Sequence, residues 1–174
     1  AVRHLDISCE SIFSAGGYTR ELIEADLTQL HVPCRILDQQ NPSRICTTVL
    51  DRSTGRTTEL VENATAVSAE EVSAFADEYR NYVSSADVVV LTGSLPTGAP
   101  ATLYHDLLAD TDCPVILDAR GPELEAALMQ SPFLVKPNLE ELEQTLARPL
   151  TSTDQMIKGM QEINQRGATW VVIS

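Results

Sequence analysis

Two apolar segments that run straight into polar turns constrain the fold of this chain more than any other feature. The first is VVVLTGSLP at residues 88–96, and the second is VKPNLEE at residues 135–141. Each is typical of a buried strand followed by a turn, marked by Gly or Asn, at the start of a helix. In open α/β sheets ligands bind at such carboxyl ends of strands, where the N-terminal amides of helices also converge. The two turns therefore predict a cleft that holds an anionic ligand.

Around these segments, apolar strands alternate with amphipathic helices. This alternation predicts an α/β fold with a mostly parallel sheet that helices cover on both faces. The predicted strands lie near residues 9–14, 34–37, 45–50, 57–61, 87–91, 115–117, 133–135 and 170–173. Residues 1–5 are expected to be the tail of a helix, Thr19 to cap the next one, and a Ser68–Glu71 capping box to start a helix that runs to Val83. The remaining helices are predicted near residues 101–108, 123–129, 139–146 and 154–165.

A hairpin is the one predicted interruption of this alternation. The β-branched runs at residues 45–50 and 57–61 flank the turn sequence RSTGR at residues 52–56, a pattern typical of antiparallel strands. We interpret residues 34–62 as strands of a small flap, or lid, attached to the sheet. The length of 174 residues is that of a single domain, which would span residues 1–174.

The charge of the chain excludes several classes of partner. Its 12 basic and 25 acidic residues give a net charge of −13, so neither nucleic acid nor an anionic membrane surface is expected to bind. No apolar run approaches the ~20 residues of a membrane span, and no signal peptide opens the sequence. The irregular spacing of the four cysteines favours reduced thiols in a cytoplasmic protein over a disulfide or a zinc site. An anionic ligand would need a local basic pocket.

The strings LTGSLP at residues 91–96 and KPNLEE at residues 136–141 resemble two motifs of the ribokinase-like (phosphofructokinase B-type) carbohydrate kinases, SGSLP and KPNxxE. Thr92 replaces the first serine and keeps its hydroxyl, whereas Asp6 and Arg120 stand where the family usually has Gly and commonly has Ser. The resemblance implies a ribokinase-like three-layer α/β/α fold. It also implies phosphoryl transfer from ATP, with Mg²⁺, to a hydroxyl of a small-molecule sugar phosphate. The best-matching branch is that of the 1-phosphofructokinases and tagatose-6-phosphate kinases.

The resemblance covers the whole chain but only the middle of the family's fold. The family's opening strands, with a sugar-binding Asp, and its GAGD loop, which supplies the catalytic Asp, have no counterpart in residues 1–174. We therefore expect an incomplete chain without a catalytic residue of its own, because the family's base would lie beyond Ser174. The segment alone is expected to be inactive. A homodimer is compatible with this interpretation.

Three residues are candidates for binding the sugar phosphate. Gly93 allows close approach of the backbone, and the Ser94 hydroxyl can donate to a sugar oxygen. The structural alternative is an ordinary turn between strand and helix. Arg44 precedes a flap strand, and the resemblance implies that its two-pronged guanidinium grips the substrate's phosphate. The alternative for Arg44 is a solvated side chain on the surface.

Four further residues are candidates for binding ATP and Mg²⁺. Lys136 follows an apolar strand, where a buried ammonium would need an anion. The resemblance assigns Lys136 and Asn138 to the nucleotide, and Glu141 and Asp118 to a magnesium that keeps several of its waters. Structural alternatives exist here as well. Asn138 with Glu141 would satisfy the first amides of any helix as a capping box, and Asp118 would form a turn.

Two other functions stay open from the sequence. The chain could be a non-catalytic module of the same fold that binds a sugar phosphate or a nucleotide, or a doubly wound domain for another nucleotide. The lack of GxGxxG after a strand argues against a dinucleotide, and the lack of GxxxxGK[ST] argues against a Walker-type nucleotidase. Fructose 1-phosphate, tagatose 6-phosphate and fructose 6-phosphate are not distinguished as substrates.

Overall fold

The computed structural model describes residues 7–174. The predicted helix tail at residues 1–5 and the unusual Asp6 lie outside the described residues. The chain divides into two compact units, each described separately below. The first comprises the chain up to Phe75 together with Pro96–Ala99, and the second comprises Ala76–Leu95 and Pro100–Ser174.

The first unit contains a parallel strand pair joined by a helix. Strand β1 (Ser11–Ala15) leads into α1 (Gly17–Gln29), and β2 (Cys34–Asp38) pairs in parallel with β1. The prediction that Thr19 caps α1 is wrong, because Gly16 occupies the N-cap with an extended backbone. Thr19 instead lies in the first turn, where its hydroxyl donates to the carbonyls of Gly16 and Ser43 at 3.0 and 3.1 Å.

The predicted hairpin is confirmed as a separate two-stranded sheet. Strand β3 (Cys46–Asp51) pairs antiparallel with β4 (Arg56–Val61), and every residue of both strands is exposed. The Asp51 carboxylate organises the turn by accepting from Ser53 N–H at 2.8 Å and from the Thr54 hydroxyl at 2.6 Å. Hydrogen bonds from the Ser53 and Thr54 hydroxyls hold the pKa of Asp51 at about 2. Whether the hairpin acts as a lid stays a prediction.

Helix α2 (Ala69–Val83) begins with the predicted capping box. The Ser68 N–H donates to Glu71 Oε2 at 2.7 Å, and the Glu71 N–H donates to Ser68 Oγ at 3.2 Å. These bonds satisfy two of the amides that a helix start leaves without partners. The donated hydrogen bonds from Ser68 N–H and Gln40 N–H lower the pKa of Glu71.

The second unit is a four-stranded parallel sheet with the strand order β5-β6-β7-β8. Its strands are β5 (Val89–Thr92), β6 (Val115–Asp118), β7 (Leu134–Val135) and β8 (Trp170–Val171). Its helices are α3 (Leu103–Ala109), α4 (Gly121–Leu128), α5 (Leu139–Leu146) and α6 (Thr153–Gln165). Because the order in space follows the order in the chain, each helical connection moves one strand along the sheet. The carboxyl ends of β5, β6 and β7 are therefore neighbours.

The core of this unit is aliphatic. Within its strands and helices, the largest fully buried side chains are Leu107, Leu117, Leu124, Val135, Leu142 and Ile163. The predicted α/β class with parallel strands is confirmed, although the parallel strands fall into two sheets of two and four strands. Within residues 7–174 no helix combines the length and apolar character that crossing a bilayer requires.

Candidate functional site

Both predicted turns open at one edge of the four-stranded sheet. Thr92, the last residue of β5, pairs with Asp118, the last residue of β6. The N–H of Lys136, just after β7, donates to the Leu117 carbonyl at 3.1 Å. The structure therefore brings Gly93, Asp118 and Lys136 together at the carboxyl ends of three neighbouring strands. This is where α/β sheets bind ligands.

The Gly93 turn is held by a tyrosine that the sequence analysis did not identify. Gly93 has a φ of +112°, which favours glycine, and its carbonyl accepts from the Tyr104 hydroxyl at 2.6 Å. Tyr104 lies in α3 and is only 6% exposed. Burial, together with the nearby carboxylates of Glu123 and Asp118, raises the pKa of Tyr104 to about 12, so the phenol remains a donor at neutral pH.

A lysine and a carboxylate meet at the ends of β6 and β7. Lys136 Nζ lies 4.0 Å from Asp118 Oδ2 and donates to Ser174 Oγ at 3.1 Å. The expectation of a buried ammonium is wrong, because the Lys136 side chain is 42% exposed, and that of Asp118 is 39% exposed. Lys136 comes directly after the last residue of β7, at the carboxyl end of the sheet. An ammonium has three donors, which leaves capacity for an anionic ligand.

Asn138 and Glu141 form the capping box that is the structural alternative for these two residues. The Asn138 N–H donates to Glu141 Oε2, and the Glu141 N–H donates to Asn138 Oδ1, both at 2.9 Å. Helix α5 therefore begins where the sequence predicts, at Leu139. The box uses one oxygen of each side chain, so the Asn138 amide nitrogen and Glu141 Oε1 lie outside it. A capping role and a ligand-binding role are compatible here.

The carboxylates fit a magnesium ion only in its weakly ligated form. Within the described residues, no group of three or more His, Cys, Asp or Glu side chains has a metal-binding arrangement. Magnesium typically takes one or two protein carboxylates and completes its shell with water and phosphate oxygens. Asp118, at the strand ends, and Glu141, through its second oxygen, suit such an ion. Their role with magnesium stays a prediction.

Arg44 lies in the first unit, whereas the other predicted site residues lie in the second. Arg44 is exposed, but hydrogen bonds hold the backbone of the residues on both sides of it. On one side the Ser43 N–H donates to the Gly16 carbonyl at 3.0 Å, and on the other the Ile45 N–H donates to Glu62 Oε2 at 2.8 Å. A fixed backbone with an exposed guanidinium suits an anion-binding role, which stays a prediction.

The capping box predicts how much Asn138 contributes to stability. We expect Asn138→Ala to lower the free energy of unfolding by about 1 kcal/mol, because the Glu141 N–H loses its acceptor. Asn138→Ser should keep most of that stability, since serine also caps helices. The matched control is Ser152→Ala, because Ser152 caps α6 by accepting from the Gln155 N–H at 3.3 Å. Urea unfolding measures all three, and equal stability of wild type and Asn138→Ala would contradict the capping role.

The sequence over residues 2–174 matches the family described as pfkB family carbohydrate kinase. Among solved structures, the tetrameric inhibited form of phosphofructokinase-2 from Escherichia coli is similar, with a TM-score of 0.88 and 31% identity over 99% of this chain. The same enzyme solved with fructose 6-phosphate gives a TM-score of 0.87, also at 31% identity over 99% of this chain. A possible 1-phosphofructokinase from Thermotoga maritima has a TM-score of 0.89 at 19% identity over 99% of this chain.

The chain corresponds to only part of each of these relatives. The chain spans 58% of both phosphofructokinase-2 chains and 56% of the Thermotoga chain. The likeness to the Thermotoga protein shows the fold alone. With the Escherichia coli enzyme, it confirms the ribokinase-like fold class predicted from the two motifs.

Proposed function

The chain belongs to the pfkB family of carbohydrate kinases, and from this premise we propose that it is the central part of a longer ATP-dependent kinase that phosphorylates a hydroxyl of a phosphorylated hexose. The observation that supports the proposal most is the set of groups at the neighbouring carboxyl ends of β5, β6 and β7. Backbone and hydroxyl donors at Gly93–Ser94 lie at this end of the sheet together with the Asp118 carboxylate and the exposed Lys136 ammonium. Such groups suit an oxygen-rich, anionic substrate pair.

Each group of predicted residues has one task in this proposal. Arg44, Gly93 and Ser94 would bind the sugar phosphate. Lys136 and Asn138 would bind the nucleotide, and Asp118 and Glu141 would face the magnesium ion. Magnesium-ATP supplies the transferred phosphoryl group and neutralises part of its charge. The chain's contribution is to orient both substrates and to place positive charge and donors near them, which is most of what phosphoryl transfer requires of a protein.

Local positive charge matters because the chain as a whole is acidic. With a net charge of −13, its average field repels both ATP and a hexose phosphate. Lys136 offsets this repulsion at the sheet edge, where its Nζ is shared between a serine hydroxyl at 3.1 Å and a carboxylate at 4.0 Å. Arg44 would do so at the substrate's own phosphate. In this proposal each of the two cations offsets the negative charge of the chain near one anionic group of the substrates.

The carboxylate that accepts the hydroxyl proton is placed outside residues 1–174 in this proposal. The GAGD loop that the family uses does not occur among these residues, and the chain spans 58% of its phosphofructokinase-2 relative. The alternative is a non-catalytic module that binds a sugar phosphate or a nucleotide. A longer protein with such a loop that still fails to turn over would favour that alternative.

The test is a coupled ADP-release assay of the full-length protein across candidate acceptors. We expect turnover with at least one of fructose 6-phosphate, fructose 1-phosphate and tagatose 6-phosphate, and much less with ribose or adenosine. Fructose 6-phosphate is tried first because it is the sugar in the related phosphofructokinase-2 structure, whereas the motifs alone favoured the other two. A preference for an unphosphorylated sugar or a nucleoside would contradict the assignment to hexose phosphates.

Two further features of the proposed protein are its location and assembly. All four cysteines carry free thiols, which is compatible with a cytoplasmic protein. Self-association as a homodimer is supported by large apolar side chains on the exposed hairpin, including Val49, Leu60 and Val61 at 50%, 59% and 58% exposure. Sedimentation of the full-length protein as a monomer at micromolar concentration would contradict the dimer.

A further inference from the structure

We infer that Tyr104 is a positioning residue for the sugar-binding turn, because its phenol holds the Gly93 carbonyl and thereby orients the peptide unit that leads into Ser94. The inference rests on the proposed role of Gly93 and Ser94 in binding the sugar. Tyr104 itself would touch neither substrate.

The hydrogen bond joins a buried phenol to the backbone of an exposed glycine. Tyr104 is 6% exposed and lies in α3 beside the buried residues Leu103, Leu107 and Leu108. Its hydroxyl donates to the Gly93 carbonyl at 2.6 Å. Gly93 is exposed and has no side chain with which to anchor the turn, and glycine readily adopts other backbone conformations. The phenol therefore supplies a restraint that the turn does not supply for itself.

The geometry of the peptide bond transmits this restraint to Ser94. The Gly93 carbonyl and the Ser94 N–H belong to one planar unit and point in opposite directions when the bond is trans. No peptide bond within residues 7–174 is cis. A carbonyl turned toward Tyr104 therefore directs the Ser94 N–H away from it. Because Ser94 is exposed, its amide and its hydroxyl are both available as donors to a sugar oxygen.

A lack of room for a side chain does not explain why residue 93 is glycine. A Cβ placed on Gly93 would come no nearer than 4.0 Å to any surrounding atom, the nearest being the Tyr104 hydroxyl oxygen. Glycine is thus required for its φ of +112°, and the hydrogen bond selects one orientation of the turn. Without that bond, only a fraction of molecules would hold Ser94 in the binding orientation. The apparent affinity for the sugar would then fall to that fraction of its intrinsic value.

The kinetic test is Tyr104→Phe in the full-length protein, with Tyr79→Phe as the matched control. Tyr79 is 5% exposed and its hydroxyl lies 2.5 Å from Thr111 Oγ1, so the control removes a comparable buried phenol bond that does not involve the turn. We expect Tyr104→Phe to raise KM for the sugar phosphate about tenfold, equivalent to about 1.4 kcal/mol, with KM for ATP unchanged. Tyr79→Phe should change neither. Equal rises in both KM values, or equal effects of the two variants, would overturn the inference.

A spectroscopic test decides the same point without relying on activity. Of the eight glycines in residues 1–174, only Gly93 is followed by serine. Labelling with 1-¹³C-glycine and ¹⁵N-serine therefore selects the Gly93–Ser94 peptide among these residues in an HNCO spectrum. We expect the Gly93 carbonyl resonance to move upfield in Tyr104→Phe and to stay in place in Tyr79→Phe. An unmoved resonance in Tyr104→Phe would refute the inference, whereas a wild-type protein inactive on every sugar phosphate would refute only the proposed function.

Discussion

Produced on its own, the segment of residues 1–174 should release no ADP above background from magnesium-ATP and any hexose phosphate. Transfer requires a positioned proton acceptor, worth about 10²–10⁴-fold in rate, and stabilisation of the developing charge, for which a single donor is worth about 10²–10³-fold. The proposal places the proton acceptor outside these residues. The expected loss relative to the full-length protein is therefore about 10²–10⁴-fold from the missing proton acceptor alone. The measurement is a coupled ADP-release assay at millimolar hexose phosphate.

The interpretation of that assay depends on the state of the segment. The segment's four-stranded sheet ends at β5 and β8, and Val90 and Trp170 on these edge strands are 58% and 60% exposed. Unpaired edges and exposed apolar side chains favour self-association. Circular dichroism and size-exclusion chromatography should therefore establish that the assayed fraction is folded. Turnover near that of the full-length protein would show that the proton acceptor lies within the segment, with Asp118 as the first candidate.

Replacing Arg44 by alanine in the full-length protein should act on the sugar phosphate and not on ATP. A charge-assisted hydrogen bond is worth about 1.5–3 kcal/mol, so KM for the sugar phosphate should rise about 10- to 150-fold. KM for ATP should stay within about twofold, because the nucleotide groups lie at other residues. Initial rates with each substrate varied in turn measure both constants.

Two variants control for charge and for geometry. Arg52→Ala removes the same charge from the exposed hairpin turn and should leave KM for the sugar phosphate unchanged. Arg44→Lys keeps the charge but lacks the two-pronged guanidinium, so it should recover only part of the affinity. If Arg44→Ala behaves like Arg52→Ala, then Arg44 is an ordinary solvated side chain.

Features that depend on local chemistry were predicted well from the sequence. The range Leu139–Leu146 of α5 was predicted correctly because its capping box is formed by residues three apart, Asn138 and Glu141. The hairpin was predicted because the Asp51 turn is stabilised by its own neighbours, Ser53 and Thr54. In such segments the stabilising partners lie within the same few residues, so the sequence pattern contains them.

Features that depend on distant partners were missed. Thr19 resembled a helix cap, but its hydroxyl also donates to Ser43, 24 residues away, in a turn that the sequence does not predict. Lys136 was expected to be buried because it adjoins an apolar strand, but its ammonium lies at the carboxyl end of β7 and bonds to Ser174, 38 residues later in the chain. Tyr104 was overlooked because its partner is a backbone carbonyl 11 residues earlier. The available signal was a tyrosine in the first turn of the next helix, since buried phenols require a polar partner.

The central claim is that the protein transfers a phosphoryl group to a phosphorylated hexose, and ³¹P NMR tests this most directly. The full-length protein would be mixed with magnesium-ATP and each of the three hexose phosphates, and the phosphorus resonances followed over time. The proposal predicts a new phosphomonoester resonance from a hexose bisphosphate, which grows in step with ADP. Growth of inorganic phosphate alone, or no loss of ATP with any of the three sugars, would contradict it.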